Sequence, residues 1–292
     1  MVLIPWEEKQ IIQGSGSVML FDAATMQTDQ GTMHLTQAES SGRWRFDTKH
    51  PVGPTIGYEY LLLSMSGNHA PIPGTLVNLS AGAGTPFMQT NGWFFMAGGG
   101  AGYAGDEPFG NGEAWYGRGW LVSGRELDAT SQLIFLVDYN GNRAIWPDVP
   151  IPSGIYHKKV NDQFEFTLGP VMEAIWKPVD RLTVDVRYEV PETVDLLARY
   201  ELNRNWSVYA SLVSREYPFH TIDLPDNKRL FLRQNRAEAG VHFAPTKWGK
   251  LIVAGGYAFG QEWRTGWDVQ DLQHVSNMSD EMYLRVGIEL SF

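Results

Sequence analysis

The sequence predicts an all-β fold: a single antiparallel β-barrel of about 14 strands that crosses a membrane. Three observations predict it. Short segments alternate apolar and polar residues between clusters of Gly, Pro, Asn and Asp, and helical periodicity is almost absent. The connections alternate in length, short at one end of the strands and often long at the other. Aromatic residues are abundant (11 Trp, 12 Tyr and 14 Phe) and gather where the segments end.

Composition narrows the alternatives. The formal net charge of −10 argues against nucleic-acid binding, which needs a basic face. With no Cys, thiolate metal sites, iron–sulfur clusters, disulfides and Cys nucleophiles are excluded. The 43% hydrophobic content, spread along the chain, excludes intrinsic disorder. The longest apolar run, Leu133 to Val137, is far short of the roughly 20 residues a membrane helix needs. No signal peptide is read at the N-terminal MVLIPWEEKQ.

In chain order, residues 1–30 are ambiguous. Ser17–Phe21 reads as a further strand piece, a segment outside the wall, or a plug within the lumen. Strands are then read at 31–39, 42–50, 55–65, 74–85 and 92–103. The last carries Gly98, Gly100 and Gly102 on its inner face, which leaves room for an inward-folded loop or the N-terminal segment. Strands at 114–124 and 131–140 precede a long loop from Asn140 to Asp162, which includes the Pro-rich Trp146–Tyr156 stretch. In 162–176, Phe164, Phe166, Leu168, Met172 and Trp176 oppose Glu165, Thr167, Gly169 and Glu173. Strands 181–189, 193–201, 205–215, 231–244 and 250–262 repeat the pattern, with long loops at 216–230 and 261–280. The last segment, 281–292, is the clearest. Leu284, Val286, Ile288, Leu290 and Phe292 share one face, and Tyr283, Arg285, Gly287, Glu289 and Ser291 share the other. Counts of 12 and 16 strands also fit the sequence.

The aromatic positions fit two belts. Trp93, Trp176, Trp206, Phe243, Trp248 and Phe292 fall at the short-turn rim, and Tyr103, Tyr139, Phe164 and Tyr188 at the other. Trp93 to Tyr103 spans about 33 Å at strand rise, or about 25 Å when tilted, which matches the apolar band of a membrane barrel. Trp and Tyr favour such rims because each joins an apolar body to a polar tip.

With these features the chain resembles bacterial outer-membrane β-barrels over residues 31–292, and among them small monomeric porins and uncharacterised barrels of similar size. The terminal alternation ending on Phe292 resembles the β-signal read by the barrel-assembly machinery. The resemblance implies outer-membrane lipid and that machinery as partners, and export behind a signal peptide that is absent from this sequence. It places residues 1–30 in the periplasm or the lumen.

Function is read from the polar inner face, expected to comprise Glu165, Glu173, Asp185, Arg187, Asp195, Arg199, Glu201, Arg236, Glu238, Arg285 and Glu289. Interleaved charges of this kind set ion preference in a pore, although a wet lumen needs polar side chains in any case. The expectation is a porin-like channel passing small polar solutes or ions. The alternative is a plugged barrel whose extracellular loops meet a protein partner. A rim enzyme acting on lipid is third. Ser207, Ser211 and His242 lie on neighbouring inner faces, but spacing supplies no acidic partner. The seven His show no metal-ligand spacing, and the acidic stretches Asp138–Asn142 and Asp223–Asn227 read as ordinary turns, so neither metal nor cofactor is expected.

Overall fold

Alternation along each segment sends one set of side chains to lipid and the other to the lumen, and hydrogen bonding closes the segments into a ring. The computed structural model describes residues 10–26, 31–46, 53–191 and 193–292. Its strands are β1 (Ile12–Thr25), β2 (Thr32–Arg45), β3 (Thr55–Gly67), β4 (Thr75–Thr90), β5 (Trp93–Gly105) and β6 (Trp115–Asp128). These are followed by β7 (Ser131–Asn140), β8 (Ile151–Lys159), β9 (Phe164–Leu168), β10 (Val171–Val179), β11 (Leu182–Glu189) and β12 (Thr193–Glu201). The chain ends with β13 (Trp206–Phe219), β14 (Arg229–Thr246), β15 (Gly249–Gly266), β16 (Gln273–Asn277) and β17 (Glu281–Ser291). From β1 to β16 each strand pairs antiparallel with the next, and β1 pairs with β17 from Gln13↔Ser291 to Phe21↔Tyr283. β16 and β17 both pair with β15, at its upper and lower halves, and together make one interrupted stave. The ring therefore has 16 staves. Closure leaves no sheet edge at the join between first and last strands, as a membrane-spanning sheet requires.

The barrel type matches the sequence expectation, and the differences are local. Residues 12–25 form wall strand β1, so the segment read as lying outside the wall, or as a plug, supplies a stave instead; residues 1–9 lie outside those described. The two segments at 31–39 and 42–50 are one strand, β2, because Ser40, Ser41 and Gly42 continue the ladder against β3. The part of 42–50 beyond Phe46 lies outside the described residues. Half of the long 140–162 loop is strand β8, which pairs with β7 from Ser131↔Lys158 to Asp138↔Ile151. The single strand read at 162–176 is a hairpin that turns at Gly169 and Pro170, with Trp176 opposite Phe164. Phe164 therefore stands on the short-turn rim beside Trp176, not on the opposite one. Much of the loops read at 216–230 and 261–280 is also strand, since β13, β14 and β15 run to Phe219, from Arg229 and to Gly266.

The wall is uneven in height. At strand rise and a tilt of about 40°, the 18-residue β14 and β15 reach about 45 Å, well beyond a lipid band of about 25 Å. Strands β8 to β12 have only five to nine residues each. Large apolar side chains such as Leu20, Leu121, Phe135, Val186, Val253, Leu284 and Val286 are exposed on the outer wall. That is the reverse of a soluble domain and the arrangement expected in lipid. Trp206–Phe243, Trp248–Phe292 and Trp93–Phe135 ring pairs stand along the short-turn half. Trp44 and Phe46, which the sequence reading did not select, stack there too. Tyr139 and Tyr188 are half-buried on the outer wall. Tyr103 is buried, covered by Phe109 from the loop after β5 and by Trp115, its partner at the start of β6.

Among the described residues, aromatic rings of neighbouring strands cover the bare inner faces. A Cβ on Gly98 would lie 2.1 Å from the Trp120 ring, and one on Gly102 2.2 Å from the Tyr116 ring. On the far side, a Cβ on Gly256 would lie 2.3 Å from Tyr283. Each glycine accommodates an aromatic ring from a neighbouring strand, which lies flat on the wall and restores the contact the glycine lacks.

Candidate functional site

The lumen is divided near its extracellular end. Gly105, at the end of β5, forms a parallel bridge with His220, just beyond β13, and the His220 N–H donates to the Ala104 carbonyl at 2.9 Å. β5 and β13 are eight strands apart in the ring, so this pinch joins opposite walls. Loops reinforce it. Asn142 Nδ2 donates to the Pro218 carbonyl at 3.2 Å, and the Val269 N–H donates to the Ala144 carbonyl at 3.0 Å. Buried Arg229 donates from Nε to the Trp267 carbonyl at 2.8 Å and lies over the Phe231 and Trp267 rings.

Burial and the nearby Arg229 guanidinium push the His220 pKa down to about 4, against a smaller upward pull from Asp226. A pinched state that disfavours protonation loses ground to a released one wherever the released imidazole binds a proton. Acidification from pH 6.5 towards 4 is therefore expected to raise open probability, with no contribution from this group above pH 7. Single-channel recording across that range checks it, and a flat profile would remove His220 from the closure.

On the β13-to-β5 side of the pinch the lumen is packed. Met19, Met26, Met33, Met65 and Met278 join Phe21, Leu35, Leu63, Phe219, Leu232 and Trp263 in one buried cluster. Methionine fills irregular gaps well, which suits a core assembled across a curved wall. Beside this cluster lies a buried polar belt. Glu39 accepts from Gln37 and Tyr217 and lies 3.7 Å from Arg236. Glu238 accepts from Tyr209 at 2.5 Å, Tyr283 at 3.1 Å and Arg285 at 3.0 Å. Gln234, Gln261 and Glu281 form a chain of two 2.9 Å hydrogen bonds. Towards the periplasm a cavity of about 1020 Å³ opens, lined by Gln13, Ser41, Arg43, Lys250 and Glu289 among others. A second, of about 450 Å³, shares Ser15, Ser41 and Glu289 with it and reaches Glu39, Arg215 and Arg285.

On the β5-to-β13 side the inward side chains of β8 to β12 keep partial access to water, while Met96, Trp120, Val122 and Leu136 on β5 to β7 are buried. Ile134, Ser153, Ile155, Thr167, Ile175 and Leu197 are all half-buried, as are the charged residues among them.

All 11 residues read as lining face inward by register, but they fall into different settings. Glu165, Glu173, Asp185, Arg187, Asp195 and Arg199 line the accessible lobe. Arg236 and Glu238 are buried in the packed half, with Arg285 joined to Glu238. Glu289 pairs with Lys250 at 2.5 Å beside the cavity, and Glu201 is exposed at the periplasmic end. Glu39, Arg215, Tyr217, Glu281 and the Arg118–Glu59 pair at 2.7 Å were not read from sequence. Tyr and Gln interrupt the simple apolar/polar alternation, and no local signal marks which of them meet.

Ser207 stands opposite His242 in register, yet no hydrogen bond joins them, and the His242 Nδ1 has no partner. Ser211 stands opposite Glu238, whose carboxylate is taken up by Tyr209, Tyr283 and Arg285. The described residues thus assemble no nucleophile–base–acid relay. Among them, no group of three or more His, Cys, Asp or Glu is placed to hold a metal ion.

No protein-family model matches the sequence, and no curated protein matches it. Solved structures similar to this chain are barrels. One is a deltaS2S3 mutant of the TodX monoaromatic hydrocarbon channel, at 10% identity and TM-score 0.42, covering 98% of this chain and 91% of that one. Another is an outer-membrane channel from Pseudomonas putida F1, at 12% identity and TM-score 0.39, covering 99% and 97%. A third is the β domain of the Bordetella autotransporter BrkA, at 11% identity and TM-score 0.35, covering 97% and 100%. Scores this low carry nothing about what passes through this chain.

Proposed function

We propose that the protein is a channel of the bacterial outer membrane that passes small solutes through the β5-to-β13 lobe, and that the extracellular pinch is its closed gate. The observation that carries this reading is the contrast in access. Inward side chains of β8 to β12 remain open to water, while those of β13 to β5 are packed against one another in the extracellular half. The packed half stiffens the barrel and the other half is the route. Trp120, Val122 and Leu136 are buried on the β5-to-β7 wall, with Phe94 and Ile134 against them, so the lining open to water is the largely polar one of β8 to β12, which suits small polar solutes.

Absence of native Cys makes the test specific. Ile175→Cys and Leu232→Cys each supply a single thiol, the first in the accessible lobe and the second in the packed cluster. A charged thiol reagent is expected to block current through the Ile175 variant and to react on the order of 100-fold more slowly with the Leu232 variant, whose opening needs local unfolding. Equal rates, or an unblocked current after complete labelling at Ile175, would move the route elsewhere.

A further inference from the structure

The larger periplasmic cavity opposes the charge of the chain that forms it. The protein carries 33 acidic and 23 basic residues, yet the described residues lining that cavity include four bases, Arg43, Arg204, Lys247 and Lys250, and one acid, Glu289. Arg204 and Lys247 stand on the exposed turns after β12 and β14, at the mouth, and Arg43 is nearly buried on β2. Lys250 holds Glu289 at 2.5 Å. In the adjoining smaller cavity Arg118 holds Glu59 at 2.7 Å, and Glu39 lies 3.7 Å from Arg236. Each acid of the two cavities has a base beside it, so the excess charge at the mouth is positive. A cleft lined by one sign, with low-dielectric walls, focuses its field and concentrates counter-ions.

Register sets neutral polar groups beside these bases. Lys250, Glu289, Ser15 and Ser41 form one row across β15, β17, β1 and β2, and Ser291, Gln13 and Arg43 form the next row towards the periplasm. Ser15 and Ser41 share one 3.1 Å hydrogen bond, and a hydroxyl has both donor and acceptor capacity beyond a single bond. Arg43 Nε donates to Gln13 Oε1 at 2.5 Å, which fixes the guanidinium next to the two serines. Above both cavities the next inward side chains, Met19, Gln37, Leu63, Ala254 and Tyr283, are buried. The space is thus open below and closed above, as a binding pocket is. At about 1020 Å³ it stands at the upper end of small-molecule sites and is far too large for a bare ion.

We infer that this cavity binds a polyhydroxylated organic anion, the chemistry of a sugar phosphate, from the periplasm. The phosphate lies at Arg43, whose planar donors suit it, drawn in by the field of Arg204 and Lys247 at the mouth; the hydroxyls lie on Gln13, Ser15 and Ser41. These side chains face the lumen by register, so the ligand is a solute rather than a lipid headgroup. The site lies on the packed side of the pinch and therefore stands or falls independently of the route through the other lobe.

The test is calorimetric titration of the folded protein in non-ionic micelles, in low-salt buffer free of phosphate, with three probes: glucose 6-phosphate, glucose and inorganic phosphate. Glucose 6-phosphate is expected to bind at least ~10-fold more tightly than either of the others, since glucose lacks the charge and phosphate lacks the hydroxyls. Raising the salt to about 1 M, which screens charges beyond about 3 Å, is expected to weaken it by about 10-fold. Arg43→Gln is expected to weaken it by about 10-fold and Lys247→Gln by about 3-fold. Arg125→Gln removes one exposed charge at the same end of the opposite wall and is expected to leave it unchanged. Heat-dependent electrophoretic mobility verifies that each variant is folded. Lys247 stands on an exposed turn, so its variant and the three-probe series on the unaltered protein decide the matter if the Arg43 variant does not fold. Equal affinity for inorganic phosphate would leave a bare-anion site and overturn the assignment. Equal affinity for glucose, no binding of glucose 6-phosphate, or equal losses in the Lys247 and Arg125 variants would overturn it too.

Discussion

Gly105→Val is expected to open the extracellular end and to raise unitary conductance several-fold. A Cβ at Gly105 would lie 2.8 Å from the Ala114 Cβ and 2.9 Å from the His220 carbonyl oxygen. Both neighbours are held: the His220 N–H bonds to Ala104, and Ala114 is fully buried. A branched side chain therefore cannot enter unless the β13 end moves away from β5, and that movement undoes the bridge between opposite walls. The local cost is that of overpacking, about 1–3 kcal/mol, which a 16-stave barrel survives. Gly255→Val serves as the control, since nothing lies within 4 Å of its Cβ on the outer wall, and it is expected to conduct as the parent does. Single-channel recording in planar bilayers measures both. A Gly105 variant that folds and conducts like the control would show that the pinch does not limit flow.

Glu238→Ala carries the largest expected loss of stability, about 2–4 kcal/mol, because it leaves two buried tyrosine hydroxyls unsatisfied and removes the ion-pair partner of Arg285. The side chain of Glu238 is only 3% exposed and accepts from two tyrosine hydroxyls as well as Arg285. Truncation strands both buried hydroxyls, while Arg285, which lines the second cavity, keeps access to water. Glu289→Gln provides the contrast. Its pair with Lys250 is part-exposed beside the periplasmic cavity, so its loss is expected to cost under about 1 kcal/mol. Denaturant midpoints in micelles compare the two variants. Equal shifts would mean that the lumen on the Glu238 side is wet rather than packed.

The charged lining was legible because a strand keeps a strict period of two. Once Leu182, Val184, Val186 and Tyr188 are assigned to lipid, Asp185 and Arg187 must face inward, and the register agrees. The strand count was less legible. Gly169 and Pro170 turn β9 into β10 inside a segment whose apolar residues continue the same phase, so the hairpin leaves no break in the pattern. Similarly, Gln13, Ser15 and Ser17 face the lumen of β1 while Gly14 and Gly16 face out, which reads as a loop when only hydrophobicity is followed.

The sequence by itself determined the barrel type, its last strand and the inward side of the charged residues read as lining, because these follow from covalent geometry and local alternation. Only the tertiary structure decided that Gly105 meets His220, that Arg236 and Glu238 are buried while Asp185 and Arg199 are half-buried, and that Trp120 lies on Gly98. Alternation assigns a side chain to the lumen but says nothing of what stands across it. That depends on how a ring of 16 staves is flattened, a property of contacts between residues more than 100 positions apart.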